Sequence, residues 1–318
     1  MARDRITRRS MLQTGAAVAA MAARGPATLA AAEAQPAHAP TIGVATLGFG
    51  QHTNAALAKE LAGTGIRTVQ LFLSQTDSRY WKYNGRSDLS DLTADRAKAI
   101  AAAYRDAGVA IHSIGVYTNL IHPDEAERKA NLAYFDAMMA VGDAMGVRTF
   151  ITESGHYEPP GPVPRMAYHF QEKVWRQMVA TGKELARLAE RRQATVLLEP
   201  FFGSFLASAK RTRLFIEAIG SPHVRCLLDP ANLLELNDLE EMFAQLTPYI
   251  DCLHAKDRKL HVERGVAAGQ GDIDYPTFVR LAATRTPRAP LILEYVGPKD
   301  YKQALAHLKA AMKTAGVA

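Results

Sequence analysis

Eight short apolar runs rich in β-branched residues recur along this chain, and a longer segment of helical period follows each. The runs are 41–47, 66–73, 109–116, 147–152, 195–199, 224–229, 249–254 and 291–295. The helical segments lie near 53–64, 93–107, 124–145, 166–192, 208–219, 238–246, 275–284 and 299–315. Strand-then-helix alternation requires parallel strands joined by crossover helices. Eight such units is the number that closes a barrel. No linker or composition break divides them, so residues 41–318 read as one α/β domain, a (β/α)8 TIM barrel.

Residues 1–40 stand outside this pattern. A basic start leads into the small-residue run 15–23 and then into alanine-rich stretches such as Ala32-Glu33-Ala34. This reads as a secretory leader over 1–34 with a linker over 35–40. The apolar run is too short to span a bilayer, which takes about 20 apolar residues. Thr7-Arg8-Arg9-Ser10-Met11-Leu12 resembles the twin-arginine export signal, with Met11 where that pattern has Phe. Such a signal predicts a chain that folds before export and works in a bacterial periplasm.

The leader also changes the charge argument. Arg3, Arg5, Arg8, Arg9 and Arg24 against Asp4 and Glu33 account for half of the formal charge of +6. What remains is modest and suggests neither a nucleic-acid nor a membrane partner. The two cysteines, Cys226 and Cys252, lie three before Asp229 and two before His254. Side chains alternate along a strand. If Asp229 and His254 point inward, Cys252 points inward and Cys226 outward, so no disulfide is expected.

Connections between the elements are lopsided. Helix-to-strand links are short, whereas several strand-to-helix links are long. The loop 74–92 carries Tyr80, Trp81 and Tyr83, the loop 153–165 carries a cluster of prolines, and 258–274 carries the glycines of GQGDIDYP. Long loops on one face mark a functional face, which in a barrel is the C-terminal end of the strands.

Four late strands end in ionisable residues at the same relative position. LLEP ends in Glu199, LLDPAN in Asp229, LHAKD in His254 and LILEY in Glu294. One such residue after a strand is usually a helix cap or a satisfied polar group. Four on successive strands make a mixed oxygen and nitrogen donor set. That set suits one divalent ion, Mn²⁺, Mg²⁺ or Co²⁺, with Zn²⁺ also compatible. Sulfur is absent from it, which argues against a structural zinc site.

The motifs LLEP, LLDPAN, LHAKD, GQGDIDY and LILEY resemble the sugar phosphate isomerase/epimerase superfamily, the xylose-isomerase-like TIM barrels. The resemblance covers 41–315 and is most specific over 195–296. It implies one divalent metal held by Glu199, Asp229, His254 and Glu294. It also implies isomerisation or epimerisation of a ketose through an enediolate, with the metal as Lewis acid and Glu199 and Glu294 as acid and base. A periplasmic address favours a non-phosphorylated carbohydrate or keto-sugar.

Departures from the ketose 3-epimerase pattern open a second outcome. Asn232 stands where those enzymes have a histidine three residues after the aspartate of strand six. The run Pro200-Phe201-Phe202-Gly203-Ser204-Phe205 replaces a segment that carries a further glutamate. Arg258 or Arg264 could serve for the arginine that follows the metal histidine. Lys256 recurs in relatives resembling inosose isomerases and dehydratases, where it could steady an oxyanion or protonate a leaving group; otherwise it would pair with Asp257. The same first step could therefore end in β-elimination, as in a lyase or dehydratase acting on a keto-sugar or keto-glycoside.

Further candidates for substrate contact are Glu153 and His156 after strand four, Tyr117 and Asn119 after strand three, and Trp81 in the aromatic loop. Phe201, Phe202 and Phe205 read equally as pocket wall or core. The rim aromatics could instead pack on a second copy of the chain, so a homo-oligomer is compatible with the sequence. Phosphodiester cleavage on the same barrel would need more histidines at the early strand ends, near Leu47, Leu73 and Val116, and a basic groove; neither is present. A pure sugar-binding module would not need two proton-transfer carboxylates.

Overall fold

A computed structural model describes residues 39–159, 165–262 and 264–317. The leader read over 1–34, with residues 35–38 of its linker, lies outside the described residues, as does most of the proline cluster before Arg165. Among the described residues no helix is long and apolar enough to cross a membrane.

The strands are β1 (Ile42–Ala45), β2 (Thr68–Leu71), β3 (Ala110–Gly115), β4 (Thr149–Thr152), β5 (Thr195–Leu198), β6 (Val224–Leu228), β7 (Ile250–Arg258), β8 (Gly265–Ala267) and β9 (Leu291–Leu293). The helices are α1 (Asn54–Gly63), α2 (Ala94–Asp106), α3 (Glu125–Met145), α4 (Arg165–His169), α5 (Glu172–Arg191), α6 (Ala209–Ile219), α7 (Pro230–Leu233), α8 (Leu239–Leu246), α9 (Tyr275–Arg285) and α10 (Tyr301–Thr314). Each strand from β1 to β6 pairs in parallel with the next, β7 pairs in parallel with β9, and β9 pairs in parallel with β1. The sheet therefore closes on itself as an eight-stranded parallel barrel.

The alternation of side chains along each strand builds two cores. Ala45, Phe72, Tyr117, Ile151, Leu197, Leu227, Cys252 and Ile292 fill the barrel interior. A larger cluster packs between the strands and the helices and includes Val44, Val69, Leu198, Cys226 and Leu253. Cys226 and Cys252 thus lie on opposite faces of the sheet, as the strand parity predicts, and both are free and buried.

Helix starts follow from local chemistry. Thr53, Thr93, Asp124, Ser208, Asp238 and Asp274 each accept a hydrogen bond from a backbone N–H of the helix they open. Helices α3 and α6 end on Gly146 and Gly220 in the left-handed conformation, where a residue without Cβ is unstrained.

Three features differ from the sequence reading. The segment 166–192 is two helices rather than one. The break follows His169, whose buried ring accepts from the Tyr157 N–H at 3.1 Å and whose carbonyl accepts from Arg211. Strand β7 runs beyond His254 to Arg258, because β8 folds back antiparallel on Lys256–Arg258 within what reads as loop. The short helix α7 follows Asp229 at once, with Asp229 Oδ1 accepting from Ala231 N–H at 2.9 Å.

Candidate metal centre

The C-terminal ends of β5, β6, β7 and β9 deliver Glu199, Asp229, His254 and Glu294 to one point. One ligand atom from each lies within 4.8 Å of every other, and all four residues are buried. Glu199, Asp229 and Glu294 directly follow their strands, so the last peptide of each strand aims the carboxylate into the barrel mouth. His254 sits inside β7 with the inward parity of Cys252 and Lys256.

His254 is the pivot of the cluster. Its Nδ1 lies 3.4 Å from Glu199 Oε1, 3.6 Å from Asp229 Oδ2 and 3.4 Å from Glu294 Oε2, yet makes no well-directed hydrogen bond. Its Nε2 lies 2.6 Å from Gln70 Oε1, from the middle of β2. A donor N–H on Nε2 makes Nδ1 the ring nitrogen that faces the three carboxylate oxygens. Sequence reasoning missed Gln70, since one inward glutamine in an apolar strand carries no signal of its partner.

Three buried carboxylates this close repel one another unless positive charge lies among them. Lys256 supplies one such charge: its Nζ lies 2.7 Å from Asp229 Oδ2 and 3.0 Å from Glu294 Oε2. Burial alone would lower the Lys256 pKa, but Asp229 and Glu294 overcome it and raise it well above the usual lysine value. Burial likewise opposes the charged form of His254, and the carboxylates of Glu294 and Glu199 raise its pKa to about 10. Glu199 is held below the usual carboxylate range despite its burial, chiefly by His254. Burial lifts Glu294 above that range, with Lys256 pulling the other way.

The donor set fits a divalent ion. Its ligand atoms are three carboxylate oxygens and an imidazole nitrogen, converging within 4.8 Å of one another. Oxygen and nitrogen donors without sulfur suit Mg²⁺, Mn²⁺ or Co²⁺, and Zn²⁺ is compatible.

The cluster opens on a cavity of about 430 Å³ bordered by Glu199, Glu294, Lys256 and Asn232 on the polar side and by Phe72, Trp81, Tyr83 and Tyr117 on the aromatic side. Tyr117 donates to Glu199 Oε2 at 2.7 Å and Asn232 Nδ2 donates to Glu199 Oε1 at 2.9 Å, so both oxygens of that carboxylate are held. Phe72 and Tyr117 stack at 5.6 Å, and the Trp81 ring lies 5.5 Å from Phe72 and edge-on to it. Glu153 also borders the cavity. Burial, then the neighbouring Glu199 charge, pushes its pKa up to about 8, and it accepts from Tyr83 Oη at 2.8 Å.

Other candidates from the sequence take different places. Asn119 does not border the cavity: its amide donates to the His156 carbonyl and accepts from the His156 N–H, clamping the loop after β4. His156 stands behind the cavity wall, with Nε2 3.4 Å from Tyr83 Oη. Arg258 reaches the cavity edge, but its guanidinium donates to the carbonyls of Ala231 and Val262 and lies over the Phe202 ring. Phe201 borders the cavity, whereas Phe205 is core, packed against Trp175 and Phe215. Lys256 does not pair with Asp257. Strand alternation turns Asp257 to the other face, where it accepts from the N–H groups of Arg258, Gly269 and Ile273. Arg264 and Tyr295, neither of them a primary candidate from the sequence, also line the cavity.

Solved structures with the same architecture include D-psicose 3-epimerase with D-tagatose from Clostridium cellulolyticum H10, at 16% identity and TM-score 0.65, covering 87% of this chain and 98% of that one. The probable 3-DHS dehydratase AsbF from Bacillus anthracis aligns at 15% identity and TM-score 0.68, covering 85% and 98%. A xylose isomerase-like TIM barrel protein from Mycobacterium smegmatis in complex with magnesium aligns at 17% identity and TM-score 0.64, covering 89% and 100%. Likeness at these identities speaks of the fold. No curated protein matches the chain. The family model described as xylose isomerase-like TIM barrel matches residues 58–311. With four-fifths of its length matched and its barrel closed, the chain belongs to the xylose isomerase-like TIM-barrel family.

Proposed function

We propose that this protein is a divalent-metal-dependent isomerase or epimerase of a non-phosphorylated carbohydrate. The observation that carries the reading is the convergence of Glu199, Asp229, His254 and Glu294 at the floor of a cavity large enough for a sugar. A divalent ion held by these four would act as a Lewis acid toward a carbonyl and its neighbouring hydroxyl. The magnesium complex and the sugar epimerase among the structural neighbours support that assignment. The twin-arginine-like Arg8-Arg9 leader supports an exported enzyme and argues against a phosphorylated substrate.

The chain's own groups divide the remaining work. Glu199, held at both oxygens by Tyr117 and Asn232, is placed to take a proton from the carbon beside the carbonyl. Glu294 reaches the cavity three strands further round the barrel and can return a proton from another side. Lys256, fixed between Asp229 and Glu294, places a cationic donor beside the developing oxyanion. The aromatic wall excludes water and offers flat faces to the C–H side of a sugar.

The buried ammonium of Lys256 favours one alternative, a lyase or dehydratase on a keto-sugar or keto-glycoside. There the same proton is removed, the C–O bond at the β-carbon breaks, its electrons leave with the oxygen, and Lys256 supplies the proton that the leaving oxygen takes. The dehydratase among the neighbours supports keeping this reading. The test is to incubate metal-loaded protein with a panel of free and glycosidic keto-sugars in heavy water. Deuterium entering beside the carbonyl of recovered sugar supports the isomerase, and a new conjugated double bond supports the lyase. No exchange and no elimination across the panel would refute both.

A further inference from the structure

Two half-exposed tyrosines stand at the mouth of the cavity on different elements. Tyr83 belongs to the long loop after β2 and is 49% exposed, and Tyr295 directly follows Glu294 and is 56% exposed. Both border the same cavity as the ligand cluster, and each lies within electrostatic reach of the other. Half-exposed aromatics are ordinary one at a time. A pair held in place across one opening needs a reason.

Both rings are held. Tyr83 donates to Glu153 Oε2 at 2.8 Å, and its ring packs 6.5 Å from Trp81 and 6.3 Å from Tyr117. Tyr295 lies over Lys256, whose Nζ is 4.5 Å from the ring centroid. Its backbone has φ +56°, in the left-handed region that bulky residues seldom adopt. Backbone outliers of this kind persist where surrounding structure enforces them, and they gather at binding sites. A glycine would hold the same turn without strain, so the fold alone does not call for a tyrosine there.

Two members of the buried cluster, Glu199 and Glu294, border the cavity, where the cluster can engage the oxygens of one sugar ring. The cavity, about 430 Å³, is also bordered by Tyr117 and Tyr83, and its volume lies within the roughly 300–1,000 Å³ of small-molecule pockets, so a second ring has room beside the first. At the mouth, Glu153 and Arg264 offer an acceptor and a donor for hydroxyls, beside two flat apolar faces. Tyrosine gives a large amphipathic contact with little conformational cost. We propose that Tyr83 and Tyr295 form a second-ring subsite, so that the substrate is a two-ring carbohydrate, a disaccharide or glycoside, rather than a free monosaccharide. The inference rests on the carbohydrate reading above and adds the size of the substrate to it.

Trp81 borders the cavity, and Trp175, the chain's other tryptophan, packs against Phe205 and Phe215. A Trp175→Phe protein therefore reports on the cavity by fluorescence, and calorimetry on the unaltered chain checks it. The probes are glucose, cellobiose, maltose and 4-nitrophenyl β-glucoside, each with metal-loaded and chelated protein. At least one two-ring probe should bind about tenfold or more tighter than glucose, a difference of about 1.4 kcal/mol. Tyr295→Gly should abolish that preference while leaving the melting temperature unchanged or higher, since the strain is relieved. Equal affinity for one ring and two, no measurable binding of any two-ring probe, or a preference that survives both Tyr295→Gly and Tyr83→Ala would overturn the proposal. A two-ring preference in a chain that takes up no metal would keep this subsite and remove the proposed catalysis, so the two failures are distinct.

Discussion

Gln70 Oε1 lies 2.6 Å from His254 Nε2, with both side chains wholly buried and 184 positions apart in the chain. The contact fixes which imidazole nitrogen faces the carboxylates. Partners of this kind orient a metal-ligating histidine and tune its basicity, and losing one typically costs about 10–100-fold in metal affinity. Gln70→Leu fills the same space without an acceptor. It should weaken metal binding by that factor in a chelator competition while the circular dichroism stays that of the parent. An unchanged affinity would mean that His254 is not a ligand or needs no orientation.

Among the described residues, Lys256 and His254 are the basic side chains within ion-pairing distance of Asp229 and Glu294. Removing one member of a buried charge network typically costs about 3–5 kcal/mol, because the partner charges are left uncompensated. Lys256→Met should show a loss of that order in urea unfolding of chelated protein, and a smaller loss in metal-loaded protein, where the ion supplies positive charge. Catalysis should fall about 10²–10⁴-fold even with metal bound, the range for a lost proton-transfer group. Equal destabilisation with and without metal would contradict a shared site.

Asp257 is a neighbour in sequence with a different task. It receives three backbone N–H groups and ties the Gly269–Ile273 segment to β7. Gly271 passes so close that a Cβ there would strike the Asp257 carboxylate. Hydrogen bonds to a charged group contribute about 1.5–3 kcal/mol each, so Asp257→Ala should cost at least about 3 kcal/mol. Metal stoichiometry of the folded variant should not change. A variant of parental stability would show that water replaces these bonds.

The thiols give an independent check on strand parity. Cys226 faces the helix layer and Cys252 the barrel interior, and burial raises both above the usual thiol pKa. Reactivity follows thiolate character and access. Neither should react with a disulfide reagent in the native protein, and both should react on unfolding. Rapid modification of either in the native state would contradict its placement.

The four-residue cluster was legible because each member closes an apolar run of the sequence, where inward parity can be counted from neighbours. Counting from His254 also places Lys256 inward and Asp257 outward, although the pairing of Lys256 with Asp229 and Glu294 needed the barrel to be closed. Gln70 was illegible because its partner is supplied by a strand five further along the sequence. Asn119 misled because an amide after a strand reads alike whether it faces ligand or clamps a loop, and here the 155–156 backbone claims it. Tyr295 looked like part of the apolar run in LILEY, since positive φ leaves no mark on a tyrosine. The β7–β8 hairpin was hidden because Gly265–Ala267 is too short to show a strand period.

The central claim is that Glu199, Asp229, His254 and Glu294 hold one divalent ion. The direct test is elemental analysis of the purified protein after loading with Mn²⁺, Mg²⁺, Co²⁺ or Zn²⁺ and removal of excess ion, beside a folded His254→Ala variant treated alike. The account predicts close to one ion per chain in the parent, released by chelation and absent from the variant. No bound metal in the parent after loading with any of the four ions, or equal metal in parent and variant, would contradict it.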